Sequence, residues 1–318
     1  ISHNSWGSFL ADDYDERSRL FGWREIFIII GMIFVLAIPA TMDFFGQSST
    51  RDKVAGMALF CLILFPLTVI PTLVAVPDKV AERSEALGWQ DMAGLLRSNP
   101  VLWRLLTADF TTSFAVSATA ALYIFFATYA FELQNHASLA LLLYFVAGFL
   151  AMPAWLKLAY RMGKVGAIKL AMGYTMVLQS GLFFVTEPGN VILFWSYTFL
   201  AGLAFGATPT LLHSMMADLT DIDELKTGQK RAGMYFALLA TINKLGGAVA
   251  VGVTLTTADK LFNFTPGIAN SQAAIDGLLF IFCFAPAAAL ALTYLPLYRY
   301  PLTKERHAEI RRTLSAEQ

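Results

Sequence analysis

Eight long apolar stretches constrain this chain most, because each is long enough to cross a lipid bilayer as a helix. A bilayer core requires about 20 mostly apolar residues per helix. By that length rule the stretches cover roughly residues 25–42, 54–76, 101–131, 138–159, 167–186, 191–216, 233–258 and 274–298. No segment has the alternating pattern of a strand, and the runs are too long for the strands of a transmembrane barrel. The sequence therefore predicts an all-α membrane protein.

The composition agrees with this prediction. Of the 318 residues, 57% are hydrophobic and only 14% are charged, whereas an ordinary soluble domain has about 25% charged residues. The 23 basic and 23 acidic residues cancel, which argues against nucleic acid as a partner. Cys61 and Cys283 both lie inside apolar stretches, so no disulfide framework is indicated.

The distribution of basic residues predicts the orientation. Nineteen of the 23 lie at alternate connections between the stretches, whereas only Arg51, Lys53 and Lys260 lie at the opposite connections. Basic residues accumulate on the cytoplasmic side of membrane proteins. We therefore expect a multi-pass protein of the plasma membrane, in a bacterium the inner membrane, with a cytoplasmic C-terminus.

The longest internal connection, residues 77–100, is charged and is predicted to be a central cytoplasmic loop between two helix bundles. Two apolar stretches precede it and six follow it. Residues 1–76 are therefore expected to be the end of an N-terminal six-helix bundle whose first four helices lie upstream. Residues 101–298 would form a C-terminal six-helix bundle, and residues 299–318 a charged cytoplasmic tail.

Lys244 is the most informative polar residue, because charges inside a membrane segment are costly and usually functional. It lies about 16 Å from the cytoplasmic end of its stretch, too deep for its stem to bring the ammonium group to an interface. We expect it to face an aqueous cavity or a carboxylate, with Asn243 beside it. The alternative is an ion pair that serves helix packing alone.

Asp109 and His213 also interrupt apolar stretches. Either could carry a proton, because histidine titrates near neutral pH and burial moves the pKa of a carboxyl group towards neutral pH. Both lie close enough to the predicted cytoplasmic side to favour partial solvation, with no functional role.

Two acidic clusters with basic neighbours, residues 12–17 and 218–224, flank the predicted cytoplasmic face. One interpretation is a charge latch between the bundles, which would close the cytoplasmic side in one conformation and break in the other. A second is a pair of Mg²⁺–diphosphate motifs, as in integral-membrane prenyltransferases. A third is a solvated surface. The neighbouring basic residues favour the latch over a metal site. The predicted gate residues are Arg17, Arg161, Lys164, Asp218, Asp221, Glu224 and Arg231.

Three motifs resemble one transporter family. The segment SWGSFLADDYDERSRLFGWRE (residues 5–25) resembles the connection after helix IV of the glycoside–pentoside–hexuronide:cation symporters, which include the melibiose permeases of the major facilitator superfamily. The segment MADLTDIDELKTGQKRAGMYF (residues 216–236) looks like that family's connection between helices X and XI. The segment RMGKVG (residues 161–166) is similar to the superfamily's basic turn between helices VIII and IX. The resemblance implies a major facilitator-type bundle in which the eight spans are helices V–XII of twelve.

The resemblance also implies roles for individual residues. Lys244 matches the family's helix XI lysine, beside the cation and sugar sites, and Arg24 matches a helix V arginine that contacts sugar. The family's cation-binding aspartates on helices II and IV would lie upstream of Ile1. Leu239 and Ala240 stand where the family has a polar pair.

The function expected from the sequence is therefore transport, without enzymatic activity or a cofactor other than a coupling cation, Na⁺ or H⁺. A monomer would move a sugar, a glycoside or a related small polar solute by symport. The predicted substrate and coupling residues are Arg24, Asp109, His213, Asn243 and Lys244. A prenyltransferase and a lipid-type solute carrier on the same fold remain the alternatives.

Overall fold

The computed structural model describes the backbone of residues 14–45, 49–75, 94–96, 99–228, 231–298 and 300. The side chains of residues 14–26, 28, 29, 221 and 224 lie outside this description. The helices are α1 (Tyr14–Phe44), α2 (Thr50–Ala75), α3 (Pro100–Phe125), α4 (Ala137–Met162), α5 (Lys164–Val185), α6 (Val191–Leu203), α7 (Ala207–Thr227), α8 (Ala232–Phe262) and α9 (Gln272–Leu297).

The all-α prediction is confirmed for the part of the chain described, which has no strand. Seven helical segments there are long and apolar enough to cross a membrane; α6 and α7 together make one of them. The eighth predicted stretch, 25–42, lies within α1, whose residues Ile30–Phe44 form a shorter apolar segment. The central loop 77–100 and the tail 299–318 lie almost entirely outside the described residues.

The helices begin and end at residues that satisfy their terminal backbone groups. Asn99 caps α3, where its side-chain oxygen accepts from the amides of Val101 and Leu102 at 3.2 Å each, and Pro100 takes the first helical position. Asn190 and Ser271 cap α6 and α9 in the same way. All three capping residues lie between the apolar stretches predicted from the sequence.

The span formed by α6 and α7 is broken in its middle. Residues 204–206 form a turn in which Gly206 has φ 77°, a backbone conformation that favours glycine. Gly202 lies so close to the backbone of Tyr144 on α4 that a Cβ atom would overlap it. The motif Gly202-x-x-x-Gly206 therefore gives both a close helix contact and a bend, as its small residues indicate.

Helix α3 is central to the described bundle, since it packs against α7, α8 and α9. At one end Leu102, Leu105 and Met215 belong to one buried cluster. At the other, Phe126 stacks on Phe282 with ring centroids 3.9 Å apart. Helix α1 packs against α2 and α4. Helix α2 buries no side chain against the other described residues.

Candidate functional site

Polar side chains from three helices lie at a similar depth in the bundle. Asp109 is about 14 Å along α3 from Pro100, and Asn243 about 17 Å along α8 from Ala232. His213 is about 21 Å from the end of α7 at Thr227. All three distances are measured from the same end of the molecule. Asn99, just before α3, hydrogen-bonds to Tyr235 in the first turn of α8, and α7 ends at the turn that leads into α8. We call Asp109, His213, Asn243 and Lys244 the mid-span cluster.

Asp109 is the buried member of this cluster. Its residue is 2% exposed, and the Asn243 side chain hydrogen-bonds to its carboxylate. Its Oδ2 atom has no hydrogen-bond partner among the described residues. Partial solvation of Asp109, which its position in the sequence favours, is therefore wrong, because α3 presents this residue to neighbouring helices and buries it there.

Close packing between α3 and α8 holds Asp109 and Asn243 together. The Ser113 hydroxyl donates to the backbone carbonyl of Asn243 at 2.6 Å. A Cβ atom on Gly246 would lie 2.7 Å from the carbonyl oxygen of Phe110. The absence of a side chain at Gly246 therefore permits the close approach that places the carboxylate of Asp109 beside Asn243.

Lys244 follows Asn243 but points elsewhere. Its side chain is exposed, and the described residues offer its ammonium group no carboxylate at ion-pair distance. Exposed Ala240, Leu245 and Ala248 share the helix with it. The sequence predicts an aqueous cavity or a carboxylate partner for Lys244. Among the described residues it has no carboxylate partner, and it lies on an exposed face of α8, which we call the open face.

His213 is exposed on α7, beside the buried carboxylate. Its Nδ1 atom lies 2.8 Å from the carbonyl oxygen of Pro209. A carbonyl oxygen only accepts, so Nδ1 carries the hydrogen, and in the neutral ring Nε2 is the basic nitrogen. The ring stacks on Phe236 of α8 at a centroid distance of 6.4 Å. His213 is close enough to Asp109 for its charge to act on the carboxylate.

Two ion pairs lie at the end of the molecule where α5 and α8 begin, which we call the basic end. Lys164 donates to Asp218 at 2.5 Å and joins the start of α5 to α7. Arg231 forms a two-pronged contact with Asp223, at 2.9 Å from Nε and 2.8 Å from Nη2. The second pair closes the turn between α7 and α8.

Both pairs join elements of the predicted C-terminal bundle. A latch between bundles also needs a partner from residues 1–76, and the side chain of Arg17 lies outside the described residues, as do those of Asp221 and Glu224. Arg161 is exposed in the last turn of α4. The latch stays a prediction. The same holds for Arg24, which lies on α1 but whose side chain is not described.

The sequence analysis missed a hydrogen-bonded chain that supports the basic end. Asn99 donates to the Tyr235 hydroxyl at 3.3 Å, and that hydroxyl also interacts with Asp223, which binds Arg231. The pairing of asparagine with Pro100, a typical helix start, could have located Asn99. Nothing in the sequence indicates that Asp223 binds Arg231.

Tyr300 lies beside this chain. Burial raises the pKa of its phenol, and the nearby carboxylate of Asp218 raises it further. The hydroxyl has no hydrogen-bond partner among the residues described. Tyr300 therefore stays protonated at neutral pH, with a free donor at the basic end.

No group of three or more His, Cys, Asp or Glu residues in the described part of the chain is arranged to hold a metal ion. A Mg²⁺–diphosphate site therefore has no support from the described residues.

Comparison with known proteins identifies a family. The family model described as MFS/sugar transport protein matches residues 1–304. The chain is 24% identical to the sodium-dependent lysophosphatidylcholine symporter 1 of Xenopus tropicalis over 300 residues, which are 92% of this chain and 56% of the relative. It is 24% identical to an uncharacterized symporter of Bacillus subtilis over 317 residues, 98% of this chain and 68% of the relative.

A sugar carrier is also among the relatives. The chain is 22% identical to the raffinose carrier protein of Pediococcus pentosaceus over 318 residues, which are 95% of this chain and 48% of the carrier. The chain thus spans about half the length of the raffinose carrier and of the Xenopus symporter.

Proposed function

The chain belongs to the MFS/sugar transport protein family, and on this premise we propose that it is a cation-coupled symporter of a sugar, a glycoside or a related small polar solute. The family and the symporter relatives identify a multi-pass membrane transporter rather than an enzyme. The prenyltransferase alternative is therefore not favoured. The proposed coupling cation is Na⁺ or H⁺, and the proposed mechanism is alternating access between two bundles.

The observation that carries this proposal is the mid-span cluster. A buried carboxylate and an amide are in contact, and a lysine follows the amide in the chain, within helices that are otherwise apolar. Polar groups at that depth mark substrate and ion pathways. Asp109 and Asn243 are in contact, and Lys244 lies on the open face of the same helix. This arrangement supports a solute and cation site near the midplane.

The proposed roles follow from exposure and charge. Lys244 is the charge that reorganises when the cation binds, since its ammonium group can gain or lose a carboxylate partner without unpacking α8. Arg24 is proposed to contact the solute from α1, which packs against α4. At the basic end, proposed to be cytoplasmic, the predicted gate residues would close access in one conformation. We propose that the protein works as a monomer in the bacterial inner membrane.

A lysolipid is the second candidate substrate. The named Xenopus relative is a lysophosphatidylcholine symporter, and α8, which carries Lys244, also exposes apolar side chains, among them Phe236, Leu245 and Val249. A single cation on an apolar face suits an amphiphile with an anionic group better than it suits a sugar, which needs several hydrogen-bond partners.

Uptake by proteoliposomes containing the full-length protein tests the proposal. We expect one of two probes, radiolabelled raffinose or lysophosphatidylcholine, to accumulate when an inward Na⁺ or H⁺ gradient is imposed, and to stop accumulating when an ionophore collapses that gradient. Protein-free liposomes are the control. Uptake that is the same with and without an imposed Na⁺ or H⁺ gradient would contradict symport. Raffinose accumulation without lysolipid accumulation would exclude the second candidate.

A further inference from the structure

We propose that Asp109 binds a proton whose uptake and release are coupled to transport. The inference rests on the proposed function, because it names the ion and the residue that a symporter of this kind would use. It starts from an imbalance in the structure: Asp109 is 2% exposed, yet its Oδ2 atom has no partner among the described residues. A buried charged oxygen without a partner is costly, and one proton on Oδ2 removes that cost.

The surroundings of Asp109 fit a proton better than a metal cation. Hard metal ions bind through several oxygen ligands arranged around them. Thr112 and Ser113 of α3 donate to backbone carbonyls, to that of Ala108 at 2.7 Å and to that of Asn243 at 2.6 Å. Among the described residues, no group of three or more His, Cys, Asp or Glu residues that could hold a metal ion includes Asp109, and Oδ2 itself is buried without a partner there. A proton needs only the one free oxygen.

His213 gives this buried site a connection to solvent. Its ring is exposed, and its Nδ1 is fixed by the Pro209 carbonyl, so Nε2 is the atom that takes up a proton from water. Transfer onward to Asp109 through water breaks the Nε2–H bond and forms an O–H bond on Oδ2. Charge and atoms balance, and no other reactant is required.

The other helices packed against α3 bring few competing charges. From α7 the group that acts on Asp109 is His213, and from α8 it is the uncharged Asn243. Lys244 is on α8 but its side chain is exposed. Helix α9 carries a single charged residue, Asp276, near its opposite end, and its Thr293 hydroxyl is bonded to Thr111 at 2.8 Å. Burial is therefore the largest influence on the protonation of Asp109, and the side chains that act on it are His213 and Asn243.

A proton on Asp109 can also influence the open face of α8, which carries Lys244. Ionised Asp109 accepts a hydrogen bond from Asn243, the residue before Lys244. Neutral Asp109 becomes a donor itself and no longer binds the amide as strongly. Loading and release of the proton thereby alter the contact between α3 and α8 next to the lysine on the open face.

Difference infrared spectroscopy of the full-length protein in liposomes tests the inference without a transported solute. Acidification should produce the carbonyl-stretch band of a buried, protonated carboxyl group. We expect Asp109→Asn to abolish this band and Asp276→Asn, which changes an exposed aspartate, to leave it intact. Replacing choline with Na⁺ at constant pH should leave the band unchanged.

Three results would overturn the inference: no carboxyl band over the accessible pH range, a band that survives in Asp109→Asn, or a band that Na⁺ removes. Asn243→Ala is a second variant, which keeps the test decisive if Asp109→Asn does not fold. It keeps the carboxyl group of Asp109 but removes its hydrogen bond, so it should shift the frequency of the band. An unshifted band would also contradict the assignment. Na⁺-driven uptake without an Asp109 band would leave the proposed symport standing and end only this inference.

Discussion

Two ion pairs of similar length have very different surroundings. The Asp223–Arg231 pair is held by two hydrogen bonds with side-chain exposures of 10% and 18%. The Asp259–Lys260 pair joins adjacent residues whose side chains are 54% and 76% exposed. Solvent weakens the second pair but has little access to the first. At the residue scale, the contact that shapes the basic end is therefore the Asp223–Arg231 pair.

This difference leads to a stability prediction. Asp223→Ala should lower the free energy of unfolding by about 2 kcal/mol, because Arg231 loses two hydrogen bonds to a charged group. Asp259→Ala is the matched control and should change it by about 0.5 kcal/mol or less. Chemical denaturation in detergent micelles measures both. Equal effects of the two substitutions would contradict the energetic distinction between the pairs.

A double-mutant cycle isolates the pair itself. Asp223→Ala combined with Arg231→Ala should cost less than the sum of the two single variants, by about 1 kcal/mol or more, because each single variant already breaks the same contact. Additive losses would show that the two side chains stabilise the protein independently of one another.

The sequence could identify Lys244 as exceptional but could not predict the burial of Asp109. Depth along a helix follows from counting residues, and Lys244 is far from both ends of its span by that count. The side of the helix on which a residue becomes buried depends on the neighbouring helices. Asp109 is covered because α3 packs against three others, and that arrangement is not encoded in the local sequence around it.

At the element scale, the contact between α3 and α8 determines whether the mid-span cluster exists. The run that follows Lys244 contains two glycines, and they face α3 directly: a Cβ on Gly246 would meet the Phe110 carbonyl, and one on Gly247 would lie 3.0 Å from the Ser117 hydroxyl. Small residues of this kind are typical of close helix packing, but they do not indicate which helix is the partner.

Enlarging this contact gives the second stability prediction. Gly246→Ala should lower the free energy of unfolding by about 2 kcal/mol, since the new methyl group forces α8 away from α3. Gly252→Ala is the control on the same helix, because a Cβ there has nothing within 4 Å. It should be neutral or stabilising by up to about 1 kcal/mol. If Gly246→Ala proved as stable as Gly252→Ala, the close approach of the two helices would be contradicted.

At the scale of the whole molecule, transport requires the two sides of the bundle to open in turn. The described ion pairs at the basic end, Lys164–Asp218 and Asp223–Arg231, stabilise one arrangement of α5, α7 and α8. The Lys164–Asp218 pair is the more exposed of the two. Partly exposed pairs are weak and reversible, which suits a contact that breaks and re-forms. The polar connections between helices were predictable from the sequence, whereas the choice of partners within the acidic cluster was not.

Weakening the ion pairs at the basic end should change the proportion of molecules that are open at that end. In a Cys61→Ser background with Ala240→Cys as reporter, one turn before Lys244, Asp218→Asn should raise the rate of labelling by an impermeant maleimide from the basic end. Loss of about 1 kcal/mol corresponds to about a fivefold change in population. Asp259→Asn is the control. An unchanged rate in Asp218→Asn would contradict the latch.

The central claim is that Lys244 takes part in coupling cation binding to solute movement. The most direct measurement is cation-driven accumulation, in proteoliposomes, of whichever probe the full-length protein transports, compared between Lys244→Ala and Lys260→Ala. Both variants remove an exposed lysine from α8, but only the first changes the mid-span cluster. We predict that Lys260→Ala accumulates the probe like the wild type, whereas Lys244→Ala loses at least about tenfold, or about 1.4 kcal/mol of coupling. Unchanged cation-dependent accumulation in Lys244→Ala would contradict the account.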